Sequence, residues 1–519
     1  MQRREDPWDQ VRAAEAGRTG RRRGPLPLLL LALAAVVAIV LVRGCGGEPA
    51  ATPTPSLNLV PDDALVTIHV STDRERSPVA TLERRLRGFP GWAALRARLL
   101  RGLSPPGCER PVRRIAGREA ALAIVPTGGQ RAASLILVDT GREHRRAEPV
   151  RCGANEARYL GRFLVITTPT VMDRVRLLNE RRKVGRTTGS LAALPLHRQL
   201  VGGLPADRVA DLWLSATGVR RVLAPRAGVL GALAVLLDRP SLQAVAVSLG
   251  PRSDGARIVV RSRGAAAGRA SSPPPATSAA PATAVGTVLT ADPLGALQRL
   301  LAVTGDQPTK TLLQRLGTVA GQVDSATGGR LRHDLVDAIR GPSELVLLPS
   351  AGSRGSAMAL AVPVTDGARA GAILRLLQQR AVSQLGPAGR AGRFVRGSIA
   401  GRVSWTGRIG AGMRLGYLID GDRVIAYTSR AAAAALLSSG PRASATEGWR
   451  RTVGQPRKAG MSIGFLDFSQ LLRIAERTGL ATLPEYRSAR SDLARVRAVG
   501  MVSRAQGGET TAEIDLWIP

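Results

Sequence analysis

Short apolar runs alternate with polar positions along most of the chain, and glycine-rich turns separate them. Runs with a repeat of two, such as 64–73 and 421–428, predict β-strands, whereas a repeat near 3.6, as in 171–180, predicts an amphipathic helix. Short glycine turns between many strands favour antiparallel hairpins over a parallel sheet. We therefore predict an α+β fold with antiparallel sheets, each covered by helices on one face.

The same order of elements occurs twice, in residues 57–263 and in residues 287–519. Each half begins with an apolar strand and continues through an apolar hairpin, a Tyr-Leu strand, a helix and a final hairpin. Tyr159 and Tyr417 occupy matching positions, as do Glu119 and Glu344. Self-similarity of this kind predicts two tandem α+β repeats.

The two predicted repeats differ in their connections and in one insertion. A linker rich in Pro, Ala and Ser, 264–286, separates them and cannot bury a core. The second repeat has additional residues, which predict a helix over 368–379 and a strand pair over 393–406. The first repeat has only a loop there, around 141–152.

An uncharged segment near the N-terminus, 24–42, consists mostly of Leu, Val and Ala. As a helix it would reach about 28 Å, close to the roughly 30 Å hydrocarbon core of a bilayer. We therefore predict a transmembrane helix, with a short tail before it (1–23) and a stalk after it (43–56).

The charges around this segment predict its orientation. Four arginines precede the span without an acidic residue among them: Arg18, Arg21, Arg22 and Arg23. The positive-inside rule then predicts a single-pass cell-membrane protein with a cytoplasmic N-terminus and extracytoplasmic residues 44–519. A cleaved signal peptide and a lipoprotein acylated at Cys45 are the alternatives.

The chain contains three cysteines. An extracytoplasmic location would permit oxidation, and Cys108 and Cys152 flank one predicted hairpin. They form the candidate disulfide, and three unpaired thiols are the equal alternative. Cys45 would then be free or lipidated.

Composition changes this picture in one respect, the charge. The 519 residues are 44% hydrophobic but only 3% aromatic, and the formal net charge is +35. Three of the 74 basic residues are lysine, namely Lys183, Lys310 and Lys458. Because arginine, alanine and glycine codons are GC-rich, this balance indicates a high-GC bacterial genome, and part of the charge reflects codon usage. Arginine nevertheless suits the capture of phosphate and carboxylate groups.

The chain resembles the bacterial membrane-anchored family catalogued as domain of unknown function 3352. Three segments carry the resemblance: Leu59-Val-Pro-Asp-Asp-Ala-Leu65, Gly117-Arg-Glu-Ala-Ala-Leu-Ala123 and Gly421-Asp-Arg-Val-Ile425. The resemblance spans most of residues 57–519. It implies a membrane-tethered extracytoplasmic protein without an assigned activity.

Histidine- and cysteine-based metal motifs and a complete P-loop are missing from the sequence. The four histidines have no H-x-x-x-H spacing, and C-x-x-C does not occur. Residues 305–311 approach a P-loop, but Thr309 replaces the glycine that lets phosphate reach the backbone. We therefore expect no catalytic residue, metal ligand or cofactor, and His69, inside an apolar strand, is expected in the core.

Acidic residues recur between predicted strands and helices at Asp73, Asp292 and Asp467. Asp in that place usually caps a helix by accepting backbone N–H bonds, and Pro293 suits the first helical position after Asp292. We interpret the three as caps.

The segment from Gly367 to Ile419 has nine arginines and no acidic residue. An acid-free arginine surface attracts phosphate-bearing polymers or anionic headgroups, although a solvated face with codon-biased arginine is the alternative. The candidate anionic-ligand residues are Arg390, Arg393, Arg396, Arg402, Arg408, Arg414 and Trp405. Aromatic residues among arginines also suit single-stranded nucleic acid, which the extracytoplasmic location disfavours.

These observations favour a non-enzymatic cell-envelope binding, scaffold or sensor module. A binder of anionic polymer or nucleic acid through the second repeat is one alternative. An envelope hydrolase that uses carboxylates such as Asp62, Asp63 or Glu119 is the other.

Overall fold

The computed structural model describes residues 54–89, 91, 118–129, 131–144, 150–223, 241–264, 278–290, 325, 338–339, 341–349, 356–385, 394–409, 413–454, 461–477, 480–482 and 484–519. Several predictions fall outside these ranges: the span 24–42 with its tail, the segment 305–311, Cys45, Cys108, Asp292, Arg390 and Arg393.

The strands within these ranges are β1 (Val66–Ser71), β2 (Glu119–Gly128), β3 (Arg131–Asp139), β4 (Val150–Cys152), β5 (Asn155–Leu160), β6 (Phe163–Thr167), β7 (Ala210–Ser215), β8 (Ala244–Arg252), β9 (Gly255–Arg263), β10 (Gly286–Thr290), β11 (Ser343–Pro349), β12 (Ser356–Pro363), β13 (Val395–Ile399), β14 (Arg402–Ile409), β15 (Met413–Asp420), β16 (Arg423–Tyr427), β17 (Met461–Asp467), β18 (Ala498–Gln506) and β19 (Glu509–Trp517).

The helices are α1 (Ser77–Arg87), α2 (Pro169–Lys183), α3 (Pro195–Gly202), α4 (Gly367–Leu385), α5 (Arg430–Leu437), α6 (Glu447–Thr452), α7 (Phe468–Arg477) and α8 (Pro484–Leu493). Local signals explain several of their ends. Pro169 opens α2, where its missing N–H has no partner to lose. Ser429 and Thr446 cap α5 and α6 by accepting backbone N–H bonds.

The nineteen strands form one continuous antiparallel sheet. Its order is β4-β5-β6-β3-β2-β1-β7-β8-β9-β19-β18-β17-β10-β11-β12-β16-β15-β14-β13. The predicted α+β fold with a transmembrane helix and two separate sheets is therefore wrong. The last strand of each half offers unpaired backbone groups, and β9 and β19 satisfy them with each other.

The prediction that helices cover only one face of the sheet is also incomplete, because parts of the sheet are buried on both faces. All six residues of β1 are buried, so that strand is shielded on both faces. One cluster of the first repeat, which includes Leu135, Phe163 and Trp213, lies with α2 and α3, whose Val171 and Leu200 belong to it. Another cluster gathers residues of opposite parity, such as Val66 and Leu214. Near-continuous apolar runs, rather than strict alternation, mark such doubly buried strands.

The structure gives no support to the predicted membrane anchor, whose segment 24–42 lies outside the described ranges. Across the ranges that the structure describes, no helix combines the length and the apolar character needed to cross a bilayer. The longest, α4, has 19 residues but contains Arg369, Arg375 and Arg380, and each charge within a span is costly. The single-pass cell-membrane localisation and the extracytoplasmic assignment of 44–519 lose their support accordingly.

The halves have the same strand order, which runs outward from the joint through β8, β7, β1, β2, β3, β6, β5 and β4 in the first half. It runs through β18, β17, β10, β11, β12, β16, β15 and β14 in the second. The second half adds β13 and α4, as the sequence predicted for its insertion. The first half has the three-residue strand β4 where only a loop was expected.

The joint between β9 and β19, called the seam below, is symmetric in its backbone register. Val259 and Glu513 are the fifth residues of two nine-residue strands, and they pair with each other. The two halves thus present the same edge to each other, as subunits do in an isologous dimer. Gly255 permits the close approach at one end, because a Cβ there would meet the carbonyl oxygen of Leu516.

Ion pairs cross the seam on one face. Arg257 donates through Nε to Asp515 Oδ1 at 2.8 Å and through Nη2 to Oδ2 at 3.2 Å. Arg252 also pairs with Asp515, and Arg261 pairs with Glu509. The hydrogen bonds to Asp515 raise the pKa of Arg257. Asp515 is itself buried, so it is the acidic residue on which the seam depends most.

We expect Asp515→Asn to lower the free energy of unfolding by about 1–3 kcal/mol, because two guanidinium groups lose their shared anion. Glu513→Gln is the matched control, since its pair with Arg504 is well exposed and should contribute less than about 1 kcal/mol. Equilibrium urea denaturation followed by circular dichroism measures both. Equal effects of the two variants would contradict the role given to Asp515.

Candidate functional site

Three neighbouring strands bring an ionisable cluster into the first repeat. His69 lies in β1, Glu119 begins β2 and Asp211 lies in β7. The cross-strand register pairs His69 with Asp211, and Glu119 lies diagonally across from His69 on the other side. The exposed fractions of these three residues are 0%, 0% and 4%. His69 is thus buried, as its apolar strand predicted.

Both ring nitrogens of His69 face carboxylates. The distance from Nε2 to Glu119 Oε2 is 2.9 Å, and that from Nδ1 to Asp211 Oδ2 is 3.1 Å. Ser56 donates to Glu119 from its backbone N at 3.0 Å and from its hydroxyl at 2.7 Å. A ring that donates on both sides is the imidazolium form, so this geometry holds a protonated histidine between two carboxylates.

Charge explains why His69 keeps its proton. Burial alone lowers the pKa of His69, but the charge of Asp211 and the hydrogen bonds to both carboxylates outweigh burial and raise it to about 9. Burial raises the pKa of Asp211, yet the charges and hydrogen bonds of His69 and Arg208 bring it below its usual range. Each group thus stabilises the charged form of the other.

Two further residues complete this cluster. Arg208 donates from Nε to Asp211 Oδ2 at 3.2 Å. His197 packs edge-on against Trp213, with ring centroids 5.2 Å apart. Burial, aided by the charges of Arg208 and His69, lowers the pKa of His197 to about 4 despite the opposing charge of Asp211. The cluster therefore contains one charged and one neutral histidine near neutral pH.

The second repeat keeps one member of the cluster and replaces the others by uncharged residues. Glu344 accepts hydrogen bonds from the hydroxyls of Ser278 and Thr287 and from the backbone N of Ala279. Thr287 pairs across the sheet with Phe465, as His69 pairs with Asp211. Trp449 then packs against Phe465, with ring centroids 5.4 Å apart. The same fold thus exists without the histidine and the aspartate.

The arrangement stabilises the fold but offers no open catalytic centre. Glu119 and Asp211 lie on opposite sides of the imidazole, so their oxygens do not converge on one point. Within the described ranges, no three His, Cys, Asp or Glu side chains are grouped to hold a metal ion. Both nitrogens of His69 are occupied, and the ring is buried, which leaves no atom for a substrate.

The carboxylates considered for hydrolysis are not brought together. Asp62 and Asp63 lie exposed in a turn, where Arg174 Nη2 donates to Asp63 Oδ1 at 2.6 Å. Glu119 is buried in the ionic cluster instead. Sequence reasoning matched Glu119 with Glu344 but missed the cluster, because its members are 50 and 142 residues apart.

Of the two predicted helix caps that the structure describes, one is confirmed and the other is wrong. Asp467 accepts from the backbone N of Gln470 at 3.0 Å and caps α7, as predicted. Asp73 instead accepts from the backbone N of Glu75, two residues on, and α1 begins only at Ser77.

The candidate arginine surface is split between the two faces of the sheet. Arg396 and Trp405 are directly opposite each other on β13 and β14 and therefore share one face. By the same alternation Arg402 and Arg414 share the other face, and the backbone register pairs position Arg408 with Arg414 across β14 and β15. Arg402 also forms an ion pair with Asp420 at 2.9 Å.

Two arginines of the set are the most available to a ligand. Arg396 and Arg414 are exposed, and no acidic side chain among the described residues pairs with either. They lie on opposite faces of the same three strands. The disulfide prediction stays a prediction, because Cys108 is outside the described ranges and only the strand position of Cys152, at the end of β4, is defined.

Comparisons with protein-family models, with curated proteins and with solved structures each give no match to the chain. The resemblance to domain of unknown function 3352 therefore stays a prediction.

Proposed function

We propose that the protein is a non-catalytic binding module for anionic polymers, which bind at the insertion of the second repeat. The observation that carries this proposal is the segment from Gly367 to Ile419, which has nine arginines and no acidic residue. Arg396 and Arg414 in this segment are exposed. Uncompensated guanidinium groups on a surface attract phosphate and carboxylate groups.

The burial of the ionic cluster in the first repeat supports binding over hydrolysis. Glu119 has its oxygens occupied by Ser56 and His69, and none of these three residues is exposed. A hydrolase would need a carboxylate within reach of its substrate.

We expect the double variant Arg396→Gln/Arg414→Gln to lose at least about tenfold in affinity for a single-stranded 20-nucleotide oligo(dT) at about 50 mM salt. The slope of log affinity against log salt should also become shallower, because fewer counterions are released. Fluorescence anisotropy of a labelled oligonucleotide measures both quantities.

The matched control is Arg176→Gln/Lys183→Gln. It removes the same charge from exposed positions of α2 whose partners are Asp173 and Glu180. Equal losses in the two double variants would show that only net charge matters and would contradict a site in the insertion.

A further inference from the structure

The insertion of the second repeat collects aromatic rings in a chain that has few. The whole sequence contains six Trp, five Phe and four Tyr. Phe394, Trp405 and Tyr417 lie within 24 positions of one another along the chain, and the structure places them together on the strands β13 to β15 and the residue before them. This concentration calls for a role beyond filling a core, because two of the three rings are only half-buried.

A row of side chains crosses these strands on one face. Arg396 pairs with Trp405, and Trp405 pairs with Tyr417, so the three share a face. The turn between β13 and β14 is Ala400-Gly401, with φ of 48° and 77°, as in a two-residue hairpin. The alternation counted from that turn puts Arg396 and Trp405 at a non-hydrogen-bonded position, where side chains come closest.

Residues next to the row contact it and hold its side chains in position. Phe394 lies 6.4 Å from Tyr417 between ring centroids and also covers Gly407, where a Cβ would come within 3.0 Å of its ring. The hydroxyl of Tyr417 donates to Gln378 Oε1 of α4 at 2.7 Å. These contacts fix the strands and the helix relative to each other, so that the row is held in place before a ligand arrives.

Two members of the row, Arg396 and Trp405, reach solvent, whereas Tyr417 is buried beside them. Trp405 and Phe394 are half-buried and Arg396 is exposed. Val403, two residues from Trp405 on the same face, is 47% exposed. Arg375 of α4 is also exposed, and its charge acts on the pKa of the Tyr417 hydroxyl, which burial raises. The row therefore has one exposed cation, Arg396, directly across from a half-buried ring, Trp405.

We propose that Arg396 and Trp405, supported by the buried Tyr417, bind single-stranded nucleic acid, with an unpaired base stacked on Trp405 and the adjacent phosphate held by Arg396. This inference rests on the proposed function and names its polymer. Stacking on an aromatic side chain accepts any base, and a guanidinium group beside it binds phosphate or stacks in turn. The extracytoplasmic location that disfavoured nucleic acid has no support in the described residues.

The test compares two labelled 20-mers that have the same phosphate spacing, oligo(dT) and a fully abasic strand, on the full-length chain. The unmodified protein should bind oligo(dT) at least about fivefold more tightly. Trp405→Leu should lower the oligo(dT) affinity about 5- to 100-fold and leave the abasic affinity unchanged. Trp405→Phe should keep most of the preference, and Arg414→Gln should weaken both probes equally.

The outcomes separate the two proposals. Equal affinity for both strands, with no effect of Trp405→Leu, overturns stacking and leaves anionic-polymer binding intact. Tighter binding of duplex DNA or of the sulfated polysaccharide heparin than of oligo(dT) overturns the assignment to single strands. No binding of any polymer overturns both proposals. Circular dichroism checks the fold of each variant, and Trp405→Phe keeps the test decisive if Trp405→Leu misfolds.

Discussion

Substitution of His69 by alanine should lower the free energy of unfolding by about 3–5 kcal/mol, the range found when one partner of a buried ion pair is removed. The reason is the position of the imidazolium between Glu119 and Asp211, both of which are buried. Without it, two carboxylates stay in the interior with Arg208 as the nearest cation. Equilibrium urea denaturation measures the loss.

The second repeat supplies the control and a rescue. Thr287→Ala removes the matching hydrogen bond to Glu344, which keeps its bonds from Ser278 and Ala279, so we expect a loss of about 1 kcal/mol. The double variant His69→Thr/Asp211→Phe copies the pattern of the second repeat and should recover at least half of the His69→Ala loss. A His69→Ala effect no larger than that of Thr287→Ala would contradict the ionic interpretation.

The stability of the protein should be greatest near pH 6.5, because the two histidines of the cluster shift in opposite directions. The pKa of His69 is about 9 in the folded chain, against 6.5 when unfolded. Its contribution is complete below pH 6.5 and disappears as the pH rises through 9, a loss of about 3 kcal/mol.

His197 determines how the stability changes below pH 6.5. Its pKa is about 4 in the folded chain, against 6.5 when unfolded, so the unfolded chain takes up the proton first. Stability should therefore fall by about 3 kcal/mol as the pH decreases from 6.5 to 4. The charged groups that face the two rings are Glu119, Asp211 and Arg208, and Asp211 has a lowered pKa, which keeps it ionised through this window.

Urea midpoints measured between pH 4 and pH 9.5 test this dependence. Two variants each remove the contribution of one of the two histidines. His197→Leu should flatten the acidic side and leave the alkaline side unchanged. His69→Thr/Asp211→Phe should flatten the alkaline side and keep a fall in stability on the acidic side, because burial is the largest cause of the lowered pKa of His197. Because other groups titrate in the same range, the difference between each variant and the unmodified protein is the quantity to compare. Parallel curves for all three proteins would rule out both assignments.

Local sequence determined most of the individual elements of this protein. Alternation of apolar residues and glycine turns predicted the hairpins, and the repeat order was readable from matched positions such as Glu119 and Glu344. The match of Tyr159 with Tyr417 is wrong by two residues, because the hairpin register places Tyr159 opposite Leu164 as Ile419 is placed opposite Val424. The insertion with α4, β13 and β14 was also predicted, because its helical and strand periodicities follow one another without ambiguity. These features depend on neighbours within a few residues, which a single sequence shows directly.

Tertiary structure alone decided how these elements combine. The seam of β9 and β19 consists of backbone hydrogen bonds, which any two edge strands can form, so no side-chain pattern marks it in advance. The sharing of faces by Arg396 and Trp405, away from Arg402 and Arg414, depends on register, in which a slip of one residue reverses every side chain.

The ionic cluster illustrates the same limit most clearly. In the sequence His69 is a lone histidine in an apolar strand, and Glu119 and Asp211 belong to other strands far along the chain. Sheet pairing makes them neighbours, and the charges and hydrogen bonds of the two carboxylates then keep the proton on His69 against the opposing effect of burial. The protonation of His69 depends on its distance from the two carboxylates and on the exclusion of water. Neither can be read from the spacing of residues along the sequence.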